Sequence, residues 1–154
     1  MPKFYSPTGN LEIWQEKPDG YFTAEEWAAE HPVPVTEISL EELKAAKKAE
    51  IANARYKAEI AGITFNGTAI KTDRESQALI TGAALKASMD PSYVCRWKTG
   101  SGFVSLSSSQ IIAVADVVRE YVQACFDREG DLCNLIDAAE TEADLQNINW
   151  SEAS

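Results

Sequence analysis

Five of the six prolines, Pro2, Pro7, Pro18, Pro32 and Pro34, lie near the start of the chain, and they divide it before any other feature does. Proline fixes φ and lacks an amide donor, so neither a continuous helix nor a central strand can run through that stretch. The same stretch carries Trp14, Tyr21, Phe22 and Trp27, apolar anchors for an extended or hairpin-like arm. Within it, Gly9-Asn10 suits a turn between short strands at residues 3–6 and 11–15. Thr23-Ala24-Glu25-Glu26 has capping-box spacing and predicts a short helix ending near His31-Pro32.

Beyond this arm the pattern turns helical. Ser39-Leu40-Glu41-Glu42 is a second capping box, opening an Ala/Glu/Lys-rich run that reaches Ala61 before Gly62 stops it. Its apolar stripe, Leu40, Leu43, Ile51, Ala54, Ala58 and Ala61, is narrow and built of small residues, which suits close packing on a partner helix better than a long coiled coil. Asn66-Gly67 between two β-prone segments predicts a tight hairpin, because both turn residues tolerate positive φ. Thr72-Asp73-Arg74-Glu75 is read as a third capping box, leading a helix over residues 74–87 that stops before Asp90-Pro91. A second hairpin is predicted at residues 93–97 and 103–106, with Thr99-Gly100-Ser101-Gly102 as its loop.

Ser107-Ser108-Ser109-Gln110 then caps the most hydrophobic helix, in which Ile111, Ile112, Ala115, Val118, Val122 and Cys125 recur at helical spacing. Gly130 weakens that helix without having to end it, and residues 132–139 continue the helical path. A capped turn at Thr141-Glu142-Ala143-Asp144 precedes Leu145, Ile148 and Trp150, which dock the C-terminal segment. The expected fold is α+β: two β-hairpins sharing one small antiparallel sheet and packed on helices, preceded by an extended arm and a long helix. The boundaries expected are an arm at 1–38, a long helix at 39–61 and an α+β core at 62–154.

A chain of 154 residues with 45% apolar and 25% charged residues suffices for one main core. Its net charge of -10 is uneven: residues 1–43 carry -7, residues 44–98 carry +5 and residues 99–154 carry -8. Solvated faces attracting one another weakly within the fold account for this; a basic middle surface kept for a partner is the sharper alternative. No charged leader precedes an apolar run and no stretch approaches the ~18 apolar residues of a membrane span, so neither secretion by a cleaved signal nor membrane insertion is expected. Cys95, Cys125 and Cys133 have no close pairing and read as reduced thiols.

Catalytic signatures are missing from the sequence. The lone His31 has no suggested partners, Gly100-Ser101-Gly102 lacks the phosphate-cradling pattern, and Asp127, Glu129 and Asp131 lack the glycine and closing glutamate of a calcium loop. No catalytic residue, metal or cofactor is therefore expected, and an acidic pocket assembled in space would be needed for a small hydrolase. Tyr93, Arg96, Trp97, Lys98 and Phe103, with Arg55, Tyr56 and Lys57, have the composition of a base-stacking surface, but a strongly acidic chain does not favour nucleic acid. The residues expected to bind a protein partner are Trp14, Tyr21, Phe22 and Trp27 in the arm, Leu40 and Leu43 on the long helix, and Tyr93 and Trp97 on the second hairpin. Arm and helix cannot fully bury their stripes alone, so oligomerisation or capture of a fibre segment is expected.

Two stretches carry a resemblance. Gly20-Tyr21-Phe22-Thr23 and Glu25-Glu26-Trp27-Ala28-Ala29-Glu30-His31-Pro32 look like the start of small proteins encoded beside phage tail fibres. Lys48-Ala49-Glu50-Ile51, Ala54-Arg55-Tyr56, residues 62–66, Thr72-Asp73-Arg74-Glu75-Ser76-Gln77, Ile80-Thr81-Gly82-Ala83-Ala84, Arg96-Trp97-Lys98 and Val122-Gln123-Ala124-Cys125-Phe126-Asp127-Arg128-Glu129 resemble a domain of unknown function common in phage and prophage tail genes. Together they cover residues 1–32 and 44–140. The resemblance implies a non-enzymatic tail-fibre assembly factor or minor tail component, with a phage tail or tail-fibre protein as partner, in the cytoplasm of a bacterial host or incorporated in the virion tail. It transfers no active site, and the run from Thr72 to Gln77 is explained by a cap, a turn and a helix start. The alternative is a phage-encoded nucleic-acid or regulatory binding protein using the basic middle segment.

Overall fold

A computed structural model describes residues 2–32 and 37–152; the last part of the proline-rich arm, residues 33–36, lies outside the described residues. The chain divides into two compact units, Met1–Ile38 and Ser39–Ser154. The long helix is thus part of the larger unit.

In the smaller unit, β1 (Lys3–Tyr5) and β2 (Leu11–Ile13) pair antiparallel, with Phe4 opposite Glu12. Gly9 turns the ribbon at φ +88°, and a Cβ there would come within 3.2 Å of the Trp27 ring, so glycine serves both the turn and the packing. Tyr5 exchanges backbone hydrogen bonds of 2.6 and 2.7 Å with Phe22, which leads into α1 (Ala24–Glu30). Thr23 and Glu26 form the expected reciprocal cap on α1. Trp27 stacks on Tyr5 at 5.3 Å and on His31 at 3.7 Å, with Phe22 edge-on at 5.6 Å.

The larger unit has the α+β composition expected. It comprises α2 (Leu40–Glu59), the hairpin β3 (Ile63–Phe65) and β4 (Thr68–Ile70), α3 (Arg74–Met89), the hairpin β5 (Val94–Thr99) and β6 (Gly102–Ser107), α4 (Ser108–Ala138) and α5 (Glu142–Gln146). A 3-10 turn at Trp150–Glu152 follows. Capping boxes start α2 at Ser39, α4 at Ser107 and α5 at Thr141, as their sequences predict. Asn66 and Gly67 take φ of 48° and 77°, the positive pair of a two-residue hairpin turn.

Two expectations need correction. The hairpins do not share a sheet: among the described residues every sheet has two strands. Each hairpin in this unit instead presses its own inner side chains on α4, where Phe65, Ile70 and Trp97 meet Val114, Val118 and Val122, so no ladder between them is required. Thr72 does not cap α3; Asp73 does, accepting from the Ser76 amide at 3.1 Å. The Thr72 side chain is fully buried, donates to the Glu59 carbonyl at 2.5 Å and accepts from the Gly62 amide at 2.9 Å.

α4 is the spine. At ~1.5 Å per residue its 31 residues span about 46 Å. Its first half packs with Ile70 and Ile80 through Val114, Val118 and Val122; its last turns, through Leu132 and Ile136, pack with Ile51, Ala139 and Leu145. Gly130 sits inside the unbroken helix with no atom within 4 Å of where its Cβ would be. Gly130→Ala is therefore expected to raise stability by about 0.5–1 kcal/mol, read as a higher urea midpoint. A lower midpoint would contradict the open space at that position.

Candidate functional site

The eight residues expected to bind a partner fall in three places. In the smaller unit, Trp14 is 42% exposed and edge-on to Tyr21 at 5.9 Å. Glu12 accepts from both, from Trp14 Nε1 at 3.2 Å and from the Tyr21 hydroxyl at 3.0 Å, and that bond raises the Tyr21 hydroxyl above its ordinary value. Phe22 and Trp27 are half-buried within the cluster around Tyr5. Leu11 and Ile13 on β2 stand exposed on the same ribbon.

Leu40 and Leu43 are half-buried on α2 and pack with Ile148 and Trp150 around the cluster of Ile51 and Ile136. The partner helix their stripe was expected to find is in the same chain. Trp97 is likewise half-buried, on the inner face of β5. With Phe65, Ile70, Val104, Leu106 and Val114 it lines a cavity of about 210 Å³. Tyr93 lies just before β5 and is half-buried. On the outer face of the same hairpin Val94 and Phe103 are exposed, and the Arg96 guanidinium lies 5.7 Å from the Phe103 ring.

Arg55, grouped with these basic residues on composition, is engaged elsewhere. Its guanidinium pairs with Glu59 and, at 2.7 Å, with Glu129, and lies 4.4 Å from the Phe126 ring. Glu59 is only 2% exposed and also receives Gln77 Nε2 at 3.2 Å and Arg74 at 3.4 Å. Burial pushes the Glu59 carboxyl up, but the hydrogen bonds from Gln77 and Arg74 and the charges of Arg74 and Arg55 outweigh it, holding the group below the usual carboxylate value. The run from Thr72 to Gln77 is thereby accounted for: Thr72, Arg74 and Gln77 fasten the start of α3 to the end of α2. Sequence reasoning missed this cluster, although Ile51, Arg55 and Glu59 recur every four residues on one helix face.

Burial pushes the Cys125 and Cys133 thiols up, which disfavours thiolate chemistry. Two clefts of about 630 and 620 Å³ both border Lys71 and Asp73, so opposite charges share their walls. Among the described residues no group of three or more His, Cys, Asp or Glu is placed to hold a metal, and no helix is long and apolar enough to cross a membrane.

The feature that sequence reasoning did not single out is the outer face of α3. Its inner face buries Ile80 and Ala87. Its outer side exposes Leu79, Leu85 and Met89 at 59, 62 and 71%, together with Ala78 and Gly82. Leu85 and Met89, four residues apart, adjoin on one face with Ala78 and Gly82, whereas Leu79 lies about 120° around the helix from Leu85; adjoining exposed apolar side chains, rather than ones scattered singly, mark a protein contact. The signal was present in the sequence, since Leu79, Leu85 and Met89 are out of phase with Ile80 and Ala87.

No curated protein and no solved structure matches the chain at a significant level. A family profile does match residues 42–149, the body of the larger unit from the first turn of α2 to the approach of Trp150, and on that extent the chain belongs to the family described as Domain of unknown function (DUF4376).

Proposed function

We propose that the protein is a non-enzymatic assembly factor or minor structural component of a phage or prophage tail, and that it works by holding another protein chain. The observation that carries the holding role is the exposed apolar side of α3, with Leu85 and Met89 in the open. The smaller unit adds a second exposed apolar surface through Leu11, Ile13 and Trp14. The tail assignment rests on the likeness of residues 1–32 and 44–140 to phage tail-region proteins.

Co-expression with the product of the adjacent tail-fibre gene, followed by size-exclusion chromatography with light scattering, tests this. Co-elution at a defined stoichiometry is the expected result. A fibre protein that assembles equally well without this chain and never co-elutes with it would remove the reading. Arg96 and Lys98 on the outer face of β5 favour a second reading, a nucleic-acid or regulatory binder. It requires retention on DNA or RNA that falls steeply with salt, because phosphate contacts release counterions.

A further inference from the structure

We infer that the outer face of α3 is a self-association surface, covered in solution by α3 of a second copy running antiparallel. This rests on the reading that the exposed apolar face holds a protein chain, and it names that chain. Ala78, Gly82, Leu85 and Met89 follow one another at intervals of four, three and four residues, the spacing of a two-helix seam.

The seam is self-complementary. A twofold axis between Ala83 and Ala84 sets Ala78 opposite Met89 of the second copy and Gly82 opposite Leu85, so that every layer places a small residue against a large one. A closed pair of identical patches is what a twofold interface requires. Antiparallel packing also puts each helix N-terminus beside the other's C-terminus, where the helix dipoles attract.

Gly82 is the second observation. It lies within α3, takes no positive φ, and has no atom within 4 Å of where its Cβ would be. Glycine weakens a helix interior relative to alanine, and among the described residues no atom fills the space that the missing side chain leaves open. A large residue of another helix approaching at that point does.

Charge is the third. Two copies of a chain with net charge -10 repel one another over most of their surfaces. Residues 71–90 carry Lys71, Arg74 and Lys86 against Asp73, Glu75 and Asp90 and are neutral as a group, so two copies can meet there without that penalty. The seam covers only about two heptads. A small interface of this kind gives a reversible, concentration-dependent dimer rather than an obligate one.

Sedimentation equilibrium of the purified full-length protein over a wide concentration range, with matched Gly82→Gln and Leu85→Glu variants, is the experiment. Wild type is expected to pass from monomer to dimer, and each variant to weaken dimerisation by about tenfold or more, since a central seam position contributes at least that factor. Gly82→Gln should at the same time raise the thermal midpoint of the dilute monomer, because glutamine is the better helix former. Opposite effects on folding and association cannot arise from a merely damaged protein.

A wild type that stays monomeric at every concentration overturns the inference, as does a dimer indifferent to both substitutions. The co-expression result separates this from the functional reading. A lone monomer that still co-elutes with the fibre protein, and loses it on Leu85→Glu, means that the face takes a different chain and the holding role stands. A dimer that ignores the fibre protein means the reverse.

Discussion

Replacing Glu59 by alanine is expected to destabilise the protein by about 3 kcal/mol, the lower end of the cost of breaking a buried ion pair, read by urea denaturation. The carboxylate is 2% exposed and serves Arg55, Arg74 and Gln77 at once. Its removal leaves the largely buried Arg55 guanidinium with Glu129 alone and takes Arg74 and Gln77 out of the fastening of α3 to α2, which then rests on the Thr72 hydroxyl and the backbone carbonyl of residue 59. Arg55→Ala should cost a comparable amount, and the double substitution less than the two together, because the partners share one network. Strictly additive losses would show that the cluster does not act as a unit.

The same group gives an acid dependence with a definite sign. Its carboxyl is held below its ordinary value of 4.5 in the folded chain, so the unfolded chain takes up the proton first as pH falls. The stability it contributes is complete above about pH 4.5 and is lost as pH drops through the folded value. Asp73, held low by its bonds from Ser76, adds in the same direction. Glu59→Gln should flatten the fall in stability below pH 4.5 relative to wild type; an unchanged slope would mean that other carboxylates carry it.

The second large effect is expected at Ile136. It is fully buried among Ile51, Leu132, Ala139 and Leu145, where the last turns of α4 meet α2 and α5. Ile136→Ala should cost about 3–4 kcal/mol, combining lost transfer energy with the cavity left behind. Leu135→Ala, one residue away and 56% exposed, should change the urea midpoint little. Equal effects at the two positions would contradict the orientation of α4.

Helix starts were legible because a cap is a local event: a hydroxyl or carboxylate and the amide three residues on decide it, as at Thr23, Ser39, Ser107 and Thr141. At Thr72 the same pattern misled, since the hydroxyl found the Glu59 carbonyl and the Gly62 amide instead and left the cap to Asp73. Hairpin turns were legible for the same local reason, from Asn66-Gly67. Whether two hairpins share a sheet depends on what covers their inner faces, and here α4 covers both. The stripe of α2 was read correctly as a packing seam but assigned to another molecule, because periodicity states which face is apolar and not who covers it. For that reason the outer face of α3 became visible only once its inner face was seen to be filled.

α4 also works as a gauge of rotational phase. Val122, Cys125, Leu132 and Ile136 fall on one side of it at steps of three, seven and four residues, and the stretch from Val122 to Leu132 carries the chain past Cys125 and Glu129 from one apolar cluster to the other. One residue added or removed within that stretch would turn every later side chain by about 100°, swinging Leu132 and Ile136 away from Ile51 while the first half of the helix stayed in place. Hairpin turns and the loop before α5 can vary in length at modest cost. The stretch between Cys125 and Leu132 cannot, so the spacing of those residues, more than their identity, ties the two ends of the body into one structure.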